Sequence, residues 1–391
     1  MRSRSARKCV IVVVALAALG TSGCLRSPSS AAPLRGPSPA AVCATRVEHA
    51  VVTAVTPDGA LSRAWSDYAA TGEGWVAGDS MYAYRVPHLG TLDTFSDSYL
   101  YSLTKLKRRR IVHNLFVLRG SRGWQTITRG SATSPSALLQ APRGWFYLGL
   151  GGIDQGRTFQ EFFMEAHWWG PGSLDWSLAR IVLATFSLPG LRLEQVLQIS
   201  GGHPAIRWGS SVERFGAWTY VYGASVGPSG LGAGYVARVP GTDLRARWSY
   251  FDGRGWSAYS TAARPLVAAV QPQYDVTRYE GMYVLVTSDP SPEFSPYAHV
   301  YFGCAPTGPF HRRQQILLSD YVGSLGAGHW GGRWGDGSVY VYDALAQPAL
   351  ERNGNFVVSY DRNAVLFPAV FGSTGIYRPG YLDLTIWTGS A

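Results

Sequence analysis

Charge, and lysine above all, is scarce in this sequence. Only 15% of the 391 residues are charged, and lysine occurs at positions 8, 105 and 107 alone. The formal net charge is +10, and four basic residues fall within the first 24, so the rest of the chain carries a scattered excess of six. Such a small excess argues against a nucleic-acid partner. A hydrophobic content of 46% excludes a disordered chain and a coiled coil.

Several catalytic motifs are also missing. The chain has no His-Glu-x-x-His, no phosphate-binding Gly-Lys-Ser/Thr and no Cys-x-x-Cys. Zinc-dependent hydrolysis is therefore not indicated. We expect no cofactor and no catalytic metal, although a structural cation in a central channel would be compatible with the sequence.

The N-terminal residues have the order of an export signal. A basic head precedes an apolar run, Val10–Leu19, which is too short to span a bilayer as a mature helix. The small residues that end in Cys24 resemble a bacterial lipobox, with Thr21 where an aliphatic residue is usual. We therefore predict a lipoprotein signal peptide over 1–24 with acylation of Cys24, and simple secretion is the alternative. Residues 25–50 are predicted to be a flexible tether.

Two cysteines, Cys43 and Cys304, remain after the signal and the acylated cysteine are set aside. Outside the cytoplasm two thiols can form one disulfide, and we assign them to such a bridge. Two separate buried thiols are the alternative, because sequence alone does not bring positions 261 residues apart within bonding distance.

The remainder of the chain has the pattern of an all-β protein. After about residue 50, runs dense in Val, Ile, Tyr, Phe and Trp recur between Gly, Pro and Asp clusters, and no window shows sustained helical spacing. Grouping the runs by four gives five units, at about 60–125, 140–200, 203–262, 265–320 and 325–391. A five-bladed β-propeller over 51–391 would close these meanders without long exposed edges. A two-sheet sandwich followed by a second domain is the alternative.

Two aspartates are the leading candidates for chemistry. Asp79 and Asp97 lie nine residues on either side of His88, at the turn of a predicted hairpin. In that register they face each other across the ladder, with Cβ atoms ~4.5–5.5 Å apart. Two like charges so close raise one pKa, which makes an acid and a base from one residue type, as glycoside hydrolysis requires. The alternative is that they end strands, cap turns or hold a cation.

Other side chains are candidates for substrate binding. His113 and Asn114 lie on the third predicted strand, where Asn114 could bind a sugar hydroxyl or be a satisfied strand amide. Glu165 lies among large apolar residues and is a candidate third acid, with exposure at alternate strand positions as the alternative. Trp208 is a candidate sugar-stacking side chain, although most of the aromatic residues will be core. The basic run over 105–110 is predicted to be a solvated loop or a contact for an anionic polymer.

The order of these segments resembles a known family. It is similar to a bacterial secreted family of five-bladed β-propellers of largely unknown function, related to the arabinan-degrading glycoside hydrolases of actinobacteria. The matching segments are Gly78-Asp79-Ser80, Phe95-Ser96-Asp97-Ser98, Val112-His113-Asn114, Trp208-Gly209 and Tyr377-Arg378-Pro379, with others between. The resemblance implies that Asp79 and Asp97 are the catalytic residues. Gln347-Pro348 departs from the family, which usually has His-Pro before the last strand.

These observations together predict an extracytoplasmic glycoside hydrolase. We expect a lipid-anchored monomer that acts on polysaccharide through the two aspartates, with arabinan-type cell-wall glycan as the first substrate to test. The alternative is a non-catalytic carbohydrate-binding or envelope scaffold lipoprotein.

Overall fold

A computed structural model describes residues 38–101, 111–131, 133–170, 175–199, 206–225, 232–290, 294–319, 339–352, 354–364, 369–370 and 373–389. Residues Pro39–Ala391 belong to one compact unit. Strands dominate the described residues, which confirms the all-β prediction apart from two helices near the N-terminus and three short 3-10 helices. Within these ranges no helix is both long and apolar enough to cross a membrane.

The first helix lies in the segment that we expected to be a tether. Helix α1 (Pro39–His49) is joined to the rest of the protein by a disulfide between Cys43 and Cys304, whose Cα atoms are 5.8 Å apart. Arg46 also donates a hydrogen bond to the carbonyl of Glu280. The expected tether over 25–50 is therefore too long, because the folded unit begins at residue 39; residues 25–37 lie outside the described ranges.

The second helix was missed by the sequence analysis. Strand β1 (Val51–Pro57) is followed by helix α2 (Gly59–Thr71), and Asp58 caps the helix by accepting from the Leu61 amide at 2.9 Å. Leu61, Trp65 and Ala69 are buried. Their spacing of four residues is a helical signal, but it is too short to stand out among the many strand-like runs.

Twenty-six further strands follow within the described ranges. They are β2 (Trp75–Gly78), β3 (Tyr82–Val86), β4 (Gly90–Phe95), β5 (Ser98–Leu100), β6 (Ile111–Val112), β7 (Leu115–Gly120), β8 (Gly123–Ile127), β9 (Arg129–Ser131), β10 (Ser134–Ser136), β11 (Trp145–Asp154), β12 (Thr158–Trp168), β13 (Trp176–Ser187), β14 (Leu193–Gln198), β15 (Ile206–Phe215), β16 (Trp218–Ser225), β17 (Gly232–Pro240), β18 (Ser249–Phe251), β19 (Trp256–Ser257), β20 (Val267–Val270), β21 (Tyr274–Tyr279), β22 (Met282–Ser288), β23 (Tyr297–Gly303), β24 (His311–Leu317), β25 (Val339–Ala346), β26 (Phe356–Ala364) and β27 (Gly380–Trp387).

Most of these strands form five antiparallel sheets in chain order. The first sheet is β3-β4-β7-β8, the second β11-β12-β13-β14, the third begins β15-β16-β17-β18, and the fourth is β21-β22-β23-β24. The fifth sheet, β25-β26-β27-β1, takes its last strand from the N-terminal segment. A small sheet of β2, β5 and β6 extends the first hairpin. The five units predicted from spacing therefore correspond to the five sheets.

Each sheet is hydrogen bonded to the next, and the fifth is bonded to the first. In that order the contacts are Gly152 N to Tyr84 Oη (2.7 Å), Gln155 Nε2 to Thr242 O (2.6 Å), Ser210 Oγ to Pro272 O (2.6 Å), Ala344 N to Ser288 Oγ (2.9 Å) and Ala83 N to Gln347 Oε1 (3.0 Å). Five apolar clusters follow the same order, one between each pair of successive sheets and one between the fifth sheet, the first sheet and α2. Burial of these side chains is the main stabilising contribution.

Candidate functional site

The two leading aspartates face each other, as predicted. Strands β3 and β4 pair Val86 with Gly90, and the register remains centred on His88 where β2 and β5 pair Gly78 with Ser98. Asp79 and Asp97 lie between these two ladders, and the Asp79 amide donates to the Asp97 carbonyl at 3.2 Å. The Asp79 carbonyl accepts from the Ser96 amide at 3.0 Å, so Asp79 lies across the hairpin from Ser96 and Asp97 in an irregular stretch of the pairing.

Asp79 is the shielded member of the pair. Its Oδ1 has almost no solvent-accessible surface, and its Oδ2 accepts a hydrogen bond from the Tyr342 hydroxyl at 2.7 Å. Burial, and then the like charge of Asp97, raise the pKa of Asp79 to about 8, although hydrogen bonds from Tyr377 and Tyr342 act in the opposite direction. Asp79 therefore retains its proton at neutral pH.

Asp97 is the solvent-facing member. Its Oδ1 lies 2.7 Å from Nδ1 of His113, and the two side chains are 29% and 31% exposed. Burial lowers the pKa of His113, but the hydrogen bond and the charge of Asp97 outweigh it, so that this pKa is raised overall. The site thus places a carboxyl group with a raised pKa beside a second carboxyl group that is paired with an imidazole, which is an arrangement that can divide acid and base roles.

Two further aspartates reach the site from the fifth sheet. Asp361 Oδ2 accepts from the Ser80 amide at 2.6 Å, and Asp343 Oδ2 accepts from the Ser80 hydroxyl at 3.1 Å. Burial raises the pKa of Asp343 to about 7. Burial, and then the charges of Asp343 and Asp79, raise the pKa of Asp361. Sequence reasoning missed both residues as partners of Asp79, because nothing local indicates that positions so far apart meet.

The backbone is strained where the fifth sheet contacts the segment that leads into the first sheet. Ser80 and Asp343 have φ angles of 51° and 49°, in the left-handed region that residues with a Cβ seldom adopt. The pairing of β25 with β26 is also irregular between Tyr342 and Leu345. Such features cluster at functional sites, where the surrounding structure holds them.

The structure gives Asn114 a structural role instead of a sugar-binding one. The side chain is 1% exposed, its Oδ1 accepts from the Leu139 amide at 2.8 Å, and its Nδ2 donates to the carbonyls of Leu139 and Tyr147. The amide group ties the first sheet to the second. Asn114 therefore has the satisfied amide of the alternative interpretation, and its side chain has no free polar atom with which to bind a substrate.

Glu165, the candidate third acid, is held in an ion pair with Arg180. Arg180 donates to both of its carboxylate oxygens, and the Tyr147 hydroxyl donates to Oε1 at 2.7 Å. Burial raises the pKa of Glu165, but Arg180 and Tyr147 lower it overall, so the residue is ionised at neutral pH. A group that has already lost its proton cannot protonate a leaving group.

Trp208 belongs to the core between the second and third sheets. It is 2% exposed and makes ring contacts with Trp248 and Tyr250 at centroid distances of 5.8 and 5.7 Å. A buried ring offers no face to a sugar, so the sugar-stacking prediction for Trp208 is wrong. Strand alternation did not show which of the many tryptophans point inward.

Gln347 replaces the histidine of the resembling family with an amide that joins two sheets. Its Nε2 donates to the carbonyl of Met81 at 2.9 Å and to the hydroxyl of Ser359 at 2.7 Å, in addition to the bond that it accepts from Ala83. The side chain is 1% exposed. All its polar atoms have protein partners, which leaves it no contact to offer a ligand.

Two other acidic or nucleophilic residues were overlooked in the sequence. Glu161 is fully buried between strands, and burial raises its pKa well above the usual value. Ser225 occupies the centre of a Gly-x-Ser-x-Gly sequence at 223–227. Its hydroxyl lies at the end of β16 and accepts from the Ala233 amide at 3.0 Å; residues 226–231, which follow it, lie outside the described ranges.

Some predicted features lie outside the described residues. These are the signal peptide, Cys24, and residues 105–110 of the basic run. Among the side chains that the structure does describe, no group of three or more His, Cys, Asp or Glu residues has the geometry of a metal site.

Comparisons with solved structures show the fold. A candidate hydrolase from Bacteroides ovatus is similar over 84% of this chain and 90% of its own, with 16% identity and a TM-score of 0.66. A xylan β-1,4-xylosidase from Bacillus halodurans (11% identity, TM-score 0.47) is similar over 81% of this chain, which spans 54% of that protein. An α-L-arabinofuranosidase from Podospora anserina (8% identity, TM-score 0.44) is similar over 80% of this chain and 92% of its own.

Comparisons of sequence give a family without an assigned activity. A search of curated proteins finds no match to this sequence. Residues 62–387 match the family described as "Domain of unknown function (DUF5005)". This range includes every strand of the five sheets except β1. Because the match spans most of the sequence, the chain belongs to the DUF5005 family.

Proposed function

We propose that the five sheets are the blades of a five-bladed β-propeller. The proposal is supported by the order of the inter-sheet hydrogen bonds, in which Gln347 of the fifth sheet returns to Ala83 of the first. It is also supported by the pairing of β1 with β27, since a blade that contains both ends of the chain closes such a ring. Asp79 and Asp97 would then lie where the first and last blades meet.

We propose further that the protein is a glycoside hydrolase that acts on polysaccharide as a monomer, with arabinan-type cell-wall glycan as the leading substrate. The observation that carries this proposal is the facing pair of carboxyl groups with opposite surroundings. Asp79, buried with a pKa of about 8, would be the general acid. Asp97, solvent-facing and paired with His113, would be the base or the nucleophile. Glycoside hydrolysis needs such a division of roles.

The test is release of oligosaccharides by the purified full chain from arabinan, arabinogalactan and xylan. Asp79→Asn and Asp97→Asn preserve shape and should each lower the rate at least ~100-fold, the lower end for general acid–base catalysis. Asp67→Asn, an exposed change on α2, is the matched control and should keep the full rate. Hydrolysis at the native rate by both site variants would overturn the assignment. Binding of a glycan without any hydrolysis would favour the carbohydrate-binding alternative.

We also propose that the protein is anchored outside the cytoplasm by a lipid on Cys24. The support is the sequence order of the signal, with small residues directly before the cysteine. Cys24→Ala should move the protein out of the membrane fraction or block its processing. Normal processing and unchanged membrane retention of that variant would contradict lipidation.

A further inference from the structure

Arg238, on the third sheet, lies between two indole rings. Its guanidinium carbon is 3.9 Å from the ring centroid of Trp218 and 4.0 Å from that of Trp256. Trp218 belongs to β16 and Trp256 to β19, so strands on both sides of β17 supply the rings. Attraction between a guanidinium cation and each ring face restricts the orientation of the group. We call Arg238, Trp218 and Trp256 the arginine stack.

The positive charge of Arg238 has no acidic partner among the residues that the structure describes. The Nε atom is buried without a hydrogen-bond partner, whereas the two terminal nitrogens, which also have none, are not fully buried. A charge that is partly removed from water is costly unless it is paired. The arginine stack therefore presents a fixed cation whose terminal N–H groups are open to a ligand from solvent.

The first sheet contains a similar arrangement in which the acid is present. Arg119 lies over the rings of Trp65 and Trp124, with its guanidinium carbon 5.7 and 5.3 Å from their centroids. It also donates from Nε and Nη2 to the two carboxylate oxygens of Asp93, at 2.6 and 2.7 Å. Arg119 and Arg238 occupy the third strands, β7 and β17, of their sheets. An arginine held by two tryptophans thus binds a carboxylate elsewhere in this protein.

The strand register shows what replaces that acid in the third sheet. Asp93 lies on β4, two residues after the position that pairs with Arg119. The corresponding position of β16, two residues after the one that pairs with Arg238, is Tyr222. The Tyr222 hydroxyl donates to the Pro306 carbonyl at 2.8 Å and offers no negative charge. The third sheet therefore retains the stacked arginine and lacks the internal carboxylate.

The chemistry of the stack indicates a carboxylate carried on a sugar. The planar fork of N–H groups on a guanidinium matches the two oxygens of a carboxylate, as Asp93 shows in the first sheet. Trp218 and Trp256 are partly exposed beside the cation, and such aromatic surface can pack against the C–H face of a sugar ring. A uronic acid unit combines both features. A neutral sugar has no group that would pair with Arg238.

We propose that the arginine stack is a second carbohydrate site, which binds the carboxylate of a uronic acid unit in an acidic polysaccharide. The site belongs to the third sheet, whereas Asp79 and Asp97 adjoin the first sheet and Asp79 is bonded to the fifth. The inference goes beyond the proposed function, because the stack requires no contact with the proposed catalytic pair and takes no part in bond cleavage. It would hold the protein on an acidic polymer.

The test compares uronic acid oligomers with their methyl esters, which keep the sugar and lose the charge. Binding of oligogalacturonate, oligomannuronate and both esters to the full chain is measured by calorimetry, in the Asp79→Asn background so that no ligand is consumed. The chain should bind at least one acid at least about tenfold more tightly than its ester, the lower end for hydrogen bonds to charged groups.

Substitutions at the stack test the role of the guanidinium fork. Arg238→Gln should weaken binding of that acid at least about tenfold. Arg238→Lys keeps the charge but not the planar fork, and should lose a smaller part of the affinity. Arg122→Gln removes the charge of an exposed arginine on the first sheet and should bind as the parent does. Arg238→Lys and the esters still decide the question if Arg238→Gln lowers the melting temperature, because neither leaves the two rings without a cation.

The remaining outcomes also decide the proposal. Failure of both acids to bind, equal binding of acid and ester, or equal losses in Arg238→Gln and Arg122→Gln would overturn the site. A peptide with a free C-terminal carboxylate that binds through Arg238 more tightly than either acid would overturn the glycan as the ligand. Uronate binding through Arg238 in a protein that hydrolyses none of the tested polysaccharides would support the site and contradict the enzyme. Hydrolysis of arabinan without uronate binding would do the reverse.

Discussion

Replacing Asp97 by Asn should lower the pKa of Asp79, because it removes the like charge across the hairpin. Burial is the largest cause of the raised pKa of Asp79 and the charge of Asp97 is the second. At the ~5 Å that separates facing side chains, two charges repel by ~3 kcal/mol if the effective dielectric constant is ~20. Since ~1.4 kcal/mol corresponds to one pKa unit, this is about two units at most.

Solvent around Asp97 reduces the expected change. The side chain is 29% exposed, and water screens the repulsion. We therefore expect the pKa of Asp79 to fall from about 8 by roughly one to two units in Asp97→Asn. It should remain far above the ordinary value of 3.8, since the burial of Asp79 is unchanged.

The assay is carboxyl carbon NMR over a pH titration, with the Asp79 resonance assigned by its loss in Asp79→Asn. Asp67→Asn removes an exposed aspartate from α2 and controls for the general effect of one less negative charge. The reasoning would be refuted if the pKa of Asp79 stayed constant in Asp97→Asn, or if the control lowered it equally. A wild-type Asp79 that titrates near 3.8 would refute the premise.

The same pKa predicts how stability depends on pH. The folded protein holds the Asp79 proton more tightly than the unfolded chain does, so this group stabilises the fold fully below pH 3.8 and loses that contribution as the pH rises through about 8. The free energy of unfolding should therefore fall across that range. In Asp79→Asn the part of the fall due to this residue should be absent, which denaturant titrations at pH 4, 6 and 8 would measure.

Three other changes test the surroundings of the site. His113→Gln should destabilise the protein by about 1 kcal/mol or less, most strongly below pH 6.5 and progressively less as the pH passes the raised pKa of His113; an equal loss at pH 5 and pH 9 would contradict the ion pair. Glu161→Gln should make stability fall less between pH 5 and pH 9, because it removes a buried acid whose pKa is raised by burial; an unaltered pH profile would argue against its burial. Replacing Cys43 and Cys304 together by Ser should lower the free energy of unfolding by about 2–5 kcal/mol, and two free thiols in the native protein would disprove the bridge.

The parts of the site that sequence predicted are those set by local geometry. Asp79 and Asp97 are eighteen positions apart, and a tight turn fixes the register of everything around it, so symmetry about His88 was enough to pair them. No comparable local feature of the sequence indicates that residues of the fifth sheet contact the site. Asp343 and Asp361 meet Ser80 only because the two ends of the chain come together, which is a property of the whole fold.

The errors at single residues have a common physical origin. Asparagine, glutamate and tryptophan side chains bind sugars when they are open to solvent and stabilise a fold when they are buried. The sequence around Asn114, Glu165 and Trp208 does not distinguish the two cases. What separates them is the partner: a backbone amide, an arginine and a layer of aromatic rings. Helix α2 was overlooked for the opposite reason: the helical spacing of its apolar residues is present in the sequence but extends over only a few positions.

The proposed chemistry depends on contacts supplied from the far end of the chain. Asp79 has a raised pKa because it is buried, and the residues that bury it include Tyr342 of the fifth sheet, whose hydroxyl lies 2.7 Å from its carboxylate. That sheet is completed by β1, from the first residues of the folded unit. Opening the contact between the fifth and first sheets would expose Asp79 to water and return its pKa toward the ordinary value. A general acid at this position therefore requires the first and last sheets to be joined.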